Sequence, residues 1–320
     1  MTRAVARASA PASIGNVGPG FDIFGQAFDA ARDIVTAVRE DSPGVRLGRV
    51  SGLVASLPEG PEDNTALAAA AAVLRAAQAG FGARLSIDKG IPLAAGMGGS
   101  AASAVAGAVA VNGLLERPFA DEELFLFALE GERIASDPPH WDNVMASLLG
   151  GLVLAARLSP PSLVRLPPPP GLVSILLPPA ARIETRAARN ILRKEVPMTT
   201  VIEHSRRLAA FAAGCATGDH GLIRAGLEDV LVEPQREHLL PVLPAVKAAA
   251  LAAGALGCSF SGSGPSVFAW APAGEAAAVE DAMAWAFMEA GLAVRAYRAP
   301  IDSAGARFER TSETVGRCAI

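Results

Sequence analysis

Pro92-Leu-Ala-Ala-Gly96-Met-Gly98-Gly99-Ser100-Ala101-Ala102 stands between two segments of different character. Before it, Arg84 to Asp88 alternates as a strand; after it, Ser100 to Val111 is apolar on every face and built largely of Ala, Val and Gly. That composition marks a helix buried in a core. Glycines at the helix entrance let successive backbone N–H groups converge on one point, and the unpaired amides of a first helical turn, with the helix dipole, attract phosphate there. The geometry suits a nucleoside triphosphate. No Gly-Lys-Ser/Thr occurs, so this is not a Walker A loop, and the nearest lysine, Lys89, precedes it. A loose GxGxxA over Gly96, Gly98 and Ala101 would need an acid at the end of the next strand, and Glu116 falls at a helix end instead. Alone, the segment also fits a glycine turn packed closely on a helix.

Upstream, Ala4 to Ala10, Ile34 to Arg39 and Val45 to Val50 read as strands separated by Gly and Pro clusters. Asn64-Thr65 cap a helix over Ala66 to Ala79, which Gly80 stops. Downstream, Asp121 caps a helix to about Ser136. The proline-dense run from Arg157 to Gly171 reads as a break in regular structure and a domain junction near residue 165. The second half reads as a strand over Leu172 to Leu177, several helices between Thr185 and Leu256, strands at Gly257 to Phe260 and Ser266 to Trp270, a helix over Glu275 to Ala290 and a strand over Leu292 to Tyr297. Ile301 to Ile320 reads as a polar tail. The class is α+β.

At roughly 150 residues per domain, 320 residues predict about two domains. With 51% hydrophobic and 19% charged residues, disorder is excluded. Cys215, Cys258 and Cys318 are odd in number and far apart, which fits a reducing compartment better than a disulfide framework. The four histidines form no HExxH zinc motif. A net charge of -4, with no basic run, offers nucleic acid no surface. The uncharged runs Ile91 to Leu115 and Ala248 to Gly274 are interrupted by Gly and Pro and read as neither of them spanning a membrane. The first residues lack an apolar signal core before Pro11, and the expected location is cytoplasmic.

Two further segments carry polar residues on flexible backbone: Pro11-Ala-Ser-Ile-Gly15-Asn16-Val-Gly18-Pro19-Gly20-Phe21-Asp22, and Gly257-Cys-Ser-Phe-Ser261-Gly262-Ser263-Gly264-Pro265-Ser266. Separately they read as turns or a hairpin. In order and spacing, the three segments together resemble the GHMP small-molecule kinase superfamily. Within it, Gly15 to Asp22, His140-Trp-Asp-Asn143 followed by Leu148-Leu-Gly-Gly151, Thr185-Arg-Ala-Ala-Arg189 and Glu233-Pro-Gln-Arg236 are similar to strings of the homoserine kinase family. The resemblance covers residues 5 to 300. Gly99 departs from it, standing where the superfamily usually has a serine.

The resemblance implies a two-domain fold, with a ribosomal protein S5 domain 2-like N-terminal domain over 1–165, a ferredoxin-like C-terminal domain over 166–320, and the site in the cleft between them. The implied reaction is ATP-dependent phosphorylation of homoserine, with magnesium. The implied ATP site comprises Asn64, Lys89, Pro92, Gly96, Met97, Gly98, Gly99, Ser100, Ala101 and Ala102; Ser100 and Glu132 would hold the metal, with Glu130 the rival acid. The implied substrate site comprises Asn16, Asp22, His140, Asn143, Thr185, Arg189, Arg236 and Gly262. Arg189 and Arg236 would take the carboxylate bidentately, Asp22 the ammonium, and Asn143 with Asn16 the hydroxyl. Asn143, Ser100 and Glu132 would be the catalytic set. Asp142 is a rival base, or a helix cap or ammonium partner. A mevalonate or sugar kinase of the same superfamily, and an inert ligand sensor of the same fold, are the alternatives. A homodimer is a further implication.

Overall fold

The computed structural model describes residues 4–311; the expectations for Cys318 and for the ends of both termini lie outside the described residues. Strands β1 (Val5–Gly15), β2 (Phe24–Glu40) and β3 (Gly44–Gly52) are followed by helix α1 (Thr65–Ala76) and strand β4 (Gly82–Lys89). The glycine-rich loop then leads into α2 (Gly99–Asn112), and α3 (Asp121–Glu132), α4 (Trp141–Leu149) and the hairpin of β5 (Leu152–Leu158) with β6 (Pro161–Leu166) complete the first half. The sheet order is β3-β4-β2-β1, with β4 antiparallel to β2 and parallel to β3, and β5 pairing with the outer part of β2. Residues 101–112 of α2 are all buried beneath this sheet. Their small size lets α1 approach closely: a Cβ on Gly107 would lie 2.5 Å from the Ala66 carbonyl oxygen.

The second half begins with β7 (Leu172–Leu177) and continues through α5 (Thr185–Asn190), α6 (Met198–Thr217), α7 (His220–Gly226), α8 (Glu233–Arg236) and α9 (Leu243–Ala252). Strands β8 (Gly257–Phe260) and β9 (Val267–Pro272), helix α10 (Ala276–Glu289) and strand β10 (Tyr297–Pro300) follow. The order β10-β7-β9-β8 makes a second, antiparallel sheet. A final strand, β11 (Arg307–Thr311), returns to the first sheet and pairs with β1.

Four local expectations are corrected. The proline-rich run contains β6, because Pro161 occupies the first strand position at a sheet edge, where no ladder N–H is needed. The tail contains β11, whose support is the distant β1 rather than local periodicity. The last strand of the second sheet begins at Tyr297, not Leu292; only an isolated bridge links Val294 to Pro179. Asp121 is the first residue of α3, and the cap is Ala120, whose N–H donates to Glu123 at 3.2 Å.

The sheets are tied across their interface by Trp270, whose indole Nε1 donates to Gln26 Oε1 at 2.8 Å, with both residues fully buried. Gln26 Nε2 already lacks a partner among the described residues. Trp270→Phe leaves a second buried polar atom unpaired and should cost about 1–3 kcal/mol in urea unfolding. A change under about 0.5 kcal/mol would show the bond to contribute nothing.

Candidate active site

The glycine-rich loop closes over a cavity of about 580 Å³ between the two halves of the chain. Gly96 and Gly98 have φ of 73° and 65°, in the left-handed region that favours glycine. Space is as decisive as φ: a Cβ on Gly98 would lie 2.0 Å from Ser13 Oγ, and one on Gly96 2.7 Å from the Gly264 carbonyl oxygen. Gly98 caps α2 without any side-chain hydrogen bond, so the first-turn amides are left for a ligand. Met97, Ala101 and Ala102 bury their side chains, leaving only backbone to offer, and Pro92 lines the approach. The loop is held from both sides. Ser13 N–H donates to the Met97 carbonyl at 3.0 Å, and Ser261 Oγ to the Gly96 carbonyl at 2.6 Å.

At the start of α2, Ser100 Oγ donates to Glu132 Oε1 at 3.0 Å. Glu132 is 1% exposed, and its Oε2 has no hydrogen-bond partner among the described residues. His140 Nδ1 lies 2.9 Å from the same Oε1. Burial lowers the His140 pKa, but its hydrogen bond to Glu132 and the charges of Glu132 and Asp142 outweigh that and leave it raised. Glu130, two positions earlier on the outer face of α3, pairs instead with Arg75 at the surface. A serine hydroxyl and a buried carboxylate oxygen without a partner are hard donors of the kind magnesium takes, few in number.

Two residues of the implied nucleotide site, Lys89 and Asn64, line the cavity and also have partners within the fold. Lys89 is 2% exposed, and its ammonium is held by Asp33, by the Gly99 carbonyl at 3.1 Å and by Ser103 Oγ at 2.9 Å. Three acceptors match its three N–H donors, so Lys89 braces the loop from beneath. Asn64 caps α1 through Oδ1, accepting from Ala66 and Leu67 at 3.1 and 3.3 Å, and donates Nδ2 to the Pro58 carbonyl.

On the opposite wall, α4 presents His140, Asp142 and Asn143. Ser13 Oγ donates to Asn143 Oδ1 at 2.9 Å, and Asn143 Nδ2 donates to Asp142 Oδ1 at 3.2 Å, which fixes the amide's orientation. Asn16, at φ 66°, donates its backbone N–H to Asp142 Oδ2 and its Nδ2 to the Gly262 carbonyl, both at 2.8 Å. Thr185 Oγ1 and Ser263 Oγ lie 3.2 Å apart at the rim. Arg236 is 3% exposed and donates only to the carbonyls of Ala188 and Gly262, at 2.9 and 3.4 Å. Burial, with Arg189 nearby, lowers its pKa to about 10. Asp22, expected to be free for an ammonium, is instead engaged by Arg189 in two 2.8 Å bonds. Both arginines lie over the Phe21 ring, at 5.2 Å for Arg189 and 5.1 Å for Arg236.

The fold brings the glycine loop, Ser100, Glu132, Asn16, Asn143 and both arginines to one cavity, as the sequence motifs imply, and adds Ser13, Phe21, Asp33 and Ser103 in or behind its wall, which the motifs did not single out. Ser13 and Phe21 stand inside the quoted N-terminal string, where a hydroxyl in a buried strand was the available signal. Asp33 and Ser103 carry no local mark.

A family model described as the GHMP kinases N terminal domain matches residues 64–151, and one described as GHMP kinases C terminal matches residues 209–287. Homoserine kinase of Xylella fastidiosa (strain 9a5c) is 46% identical over 306 residues, covering 95% of this chain and 94% of that protein. Homoserine kinase of Chlorobaculum tepidum is 38% identical, covering 95% of this chain and 98% of its own. The crystal structure of homoserine kinase from Cytophaga hutchinsonii superposes with a TM-score of 0.91 at 36% identity, covering 95% and 97% of the two chains. With matches of this extent over both halves, around a cavity built from the same three glycine-bearing segments, the chain belongs to the homoserine kinases of the GHMP kinase family.

Proposed function

We propose that the chain transfers the γ-phosphoryl group of ATP to the hydroxyl of L-homoserine, giving O-phospho-L-homoserine and ADP, a step toward threonine. The observation that carries this is a single cavity in which a helix start with no side-chain cap and, among the described residues, a buried carboxylate oxygen without a partner and a buried guanidinium without an acid partner share one space. The amides of Gly98, Gly99 and Ser100 would hold the phosphates, and Ser100 with Glu132 would hold Mg2+. Bound there, the ion would neutralise phosphate charge. Asn143 would orient the acceptor hydroxyl through its amide, and Arg236 and Arg189, with Thr185, Gly262, His140 and Asn16, would surround the amino-acid end.

An amide takes up no proton at neutral pH. The proton of the attacking hydroxyl therefore passes to the transferring phosphoryl group or to solvent. Phosphoryl transfer tolerates this because its transition state is loose, with little bond formation to the nucleophile, so positioning and charge stabilisation carry most of the rate. A guanidinium without an acid partner in the acceptor pocket disfavours a neutral sugar, which has no carboxylate to offer it.

A division into residues 1–165 and 166–320 belongs to the same proposal, supported by the change of sheet between β6 and β7, although β11 returns to the first sheet. So does a cytoplasmic location, supported by soluble substrates and by the free thiols of Cys215 and Cys258. No described helix is long and apolar enough to cross a membrane. A homodimer is tested by sedimentation. Incubation with ATP, magnesium and L-homoserine, followed by phosphorus NMR, should show a new phosphomonoester resonance growing with ADP. Hydrolysis of ATP to inorganic phosphate alone, or no turnover, would remove the assignment.

A further inference from the structure

Strand β4 leaves the first sheet at Lys89 and α2 begins at Gly99, so residues 90–98 form a loop whose two ends must be held in register if the amides at the helix start are to meet phosphate at fixed positions. The last rung of the ladder between β2 and β4 pairs Ile34 with Asp88. One position further along β2 stands Asp33, 0% exposed, and there its side chain takes over from the backbone. Oδ1 accepts from the N–H groups of Gly90 and Ile91, both at 3.1 Å, which ends the strand and turns the chain into the loop. Oδ2 accepts from Ser103 Oγ, in the second turn of α2, at 2.6 Å, and from the Lys89 ammonium. Lys89 carries the link on to the Gly99 carbonyl at 3.1 Å and to Ser103 Oγ at 2.9 Å.

A single buried carboxylate therefore joins the entry of the loop to its exit helix. Lys89 and Ser103 line the cavity, whereas Asp33 stands behind them and acts only through them and through the two amides it holds. Packing alone does not call for charge beneath a helix of small, mostly apolar residues. A buried ion pair is a weak source of net stability, and its best-attested use is to fix register.

We propose that Asp33 is the positioning residue of the phosphate loop: by tying Gly90 and Ile91 to Ser103 and, through Lys89, to Gly99, it fixes where the amides of Gly98, Gly99 and Ser100 point. This rests on the reading of the glycine loop as the ATP phosphate site. Loosening the tie weakens the hold on phosphates and leaves the adenosine end of the nucleotide as it was.

Titration calorimetry on the full chain with magnesium measures ADP directly and adenosine by displacement, and the ratio of the two dissociation constants isolates what the phosphates contribute. Taken on one preparation, that ratio is independent of the fraction folded. The wild type should hold ADP more than about thirtyfold tighter than adenosine. Asp33→Asn keeps an oxygen for Gly90 and Ile91 but sets an NH2 group against the Lys89 ammonium and the Ser103 hydroxyl, so the exit helix is freed while the strand end stays capped. It should cut the ratio at least about tenfold by weakening ADP, with the adenosine constant within about threefold of wild type. Ser103→Ala removes one of the two links to α2 and should cut the ratio about threefold. Where Asp33→Asn does not fold, Ser103→Ala decides alone. A ratio unchanged or raised in either variant, or adenosine weakened as much as ADP, overturns the proposal. If the wild type binds ADP no tighter than adenosine, the phosphate-loop reading itself has failed; if it holds ADP tighter and the ratio does not respond, only the role of Asp33 has.

Discussion

Glu132→Gln should lower the maximal rate by at least about a hundredfold and move the magnesium dependence to higher concentration. The substitution keeps the size of the side chain and its bond from Ser100, but it removes the charge of a carboxylate whose second oxygen is buried without a partner. Glu130→Gln should leave both quantities within about twofold, because Glu130 pairs with Arg75 where solvent reaches both. Titration of magnesium in initial-rate assays checks this. Loss in the Glu130 variant with none in the Glu132 variant would reverse the assignment. The same chemistry orders two neighbouring changes. Ser100→Ala removes the other hard oxygen and should harm turnover more than Gly99→Ser. A Cβ at Gly99 comes tightest to Ile91 Cγ2, at 3.2 Å, with Ile91 Cβ and the Pro92 carbonyl oxygen at an ordinary 3.6 Å, and a small shift accommodates it.

Below about pH 6, kcat/KM for homoserine should fall about tenfold per unit while kcat stays level between about pH 6 and 9. Burial raises the Asp142 carboxyl from its ordinary 3.8 to about 6; the charge of His140 opposes that rise, Asp22 adds to it, and the bonds from Asn143 and Asn16 oppose it. A raised acid pKa means the group is ionised above about 6 and protonated below it, so an acceptor that favours the ionised carboxylate binds less well on the acid side. An acceptor that favours the ionised form would hold the carboxylate ionised once bound, which keeps its titration out of kcat in this window. Protonated His140 favours the ionised Asp142, while Arg236 and Arg189 stay charged throughout. An acidic limb in kcat that vanishes in Asp142→Asn, with a rate loss beyond about a hundredfold, would show Asp142 to be the general base and would contradict the amide-only mechanism.

The parts legible in the sequence are those whose partners lie nearby along the chain. The Asn64 cap, the glycine loop and the small-residue α2 are local patterns, and the structure carries each where its residues stand. Glu132 rather than Glu130 is favoured by its spacing to His140, and α3 turns Glu132 toward Ser100 and Glu130 toward Arg75. What stayed hidden depends on long-range pairing. Nothing around Lys89 announces Asp33 on another strand, so the lysine before the loop read only as part of the nucleotide site, and its bracing role, with three acceptors around a buried ammonium, stayed hidden. Nothing between Gly15 and Asp22 announces Arg189, and a turn aspartate read as free was already engaged. β11 was missed for the same reason: its register is written in β1.

The most direct test of the central claim is an ADP-release assay with the purified chain across L-homoserine, mevalonate, galactose and shikimate at equal concentrations. Turnover of homoserine should exceed that of each other acceptor by more than about a hundredfold, because each of the others lacks at least one charged group of the zwitterion. Comparable turnover of mevalonate or galactose, or none with homoserine, would contradict it.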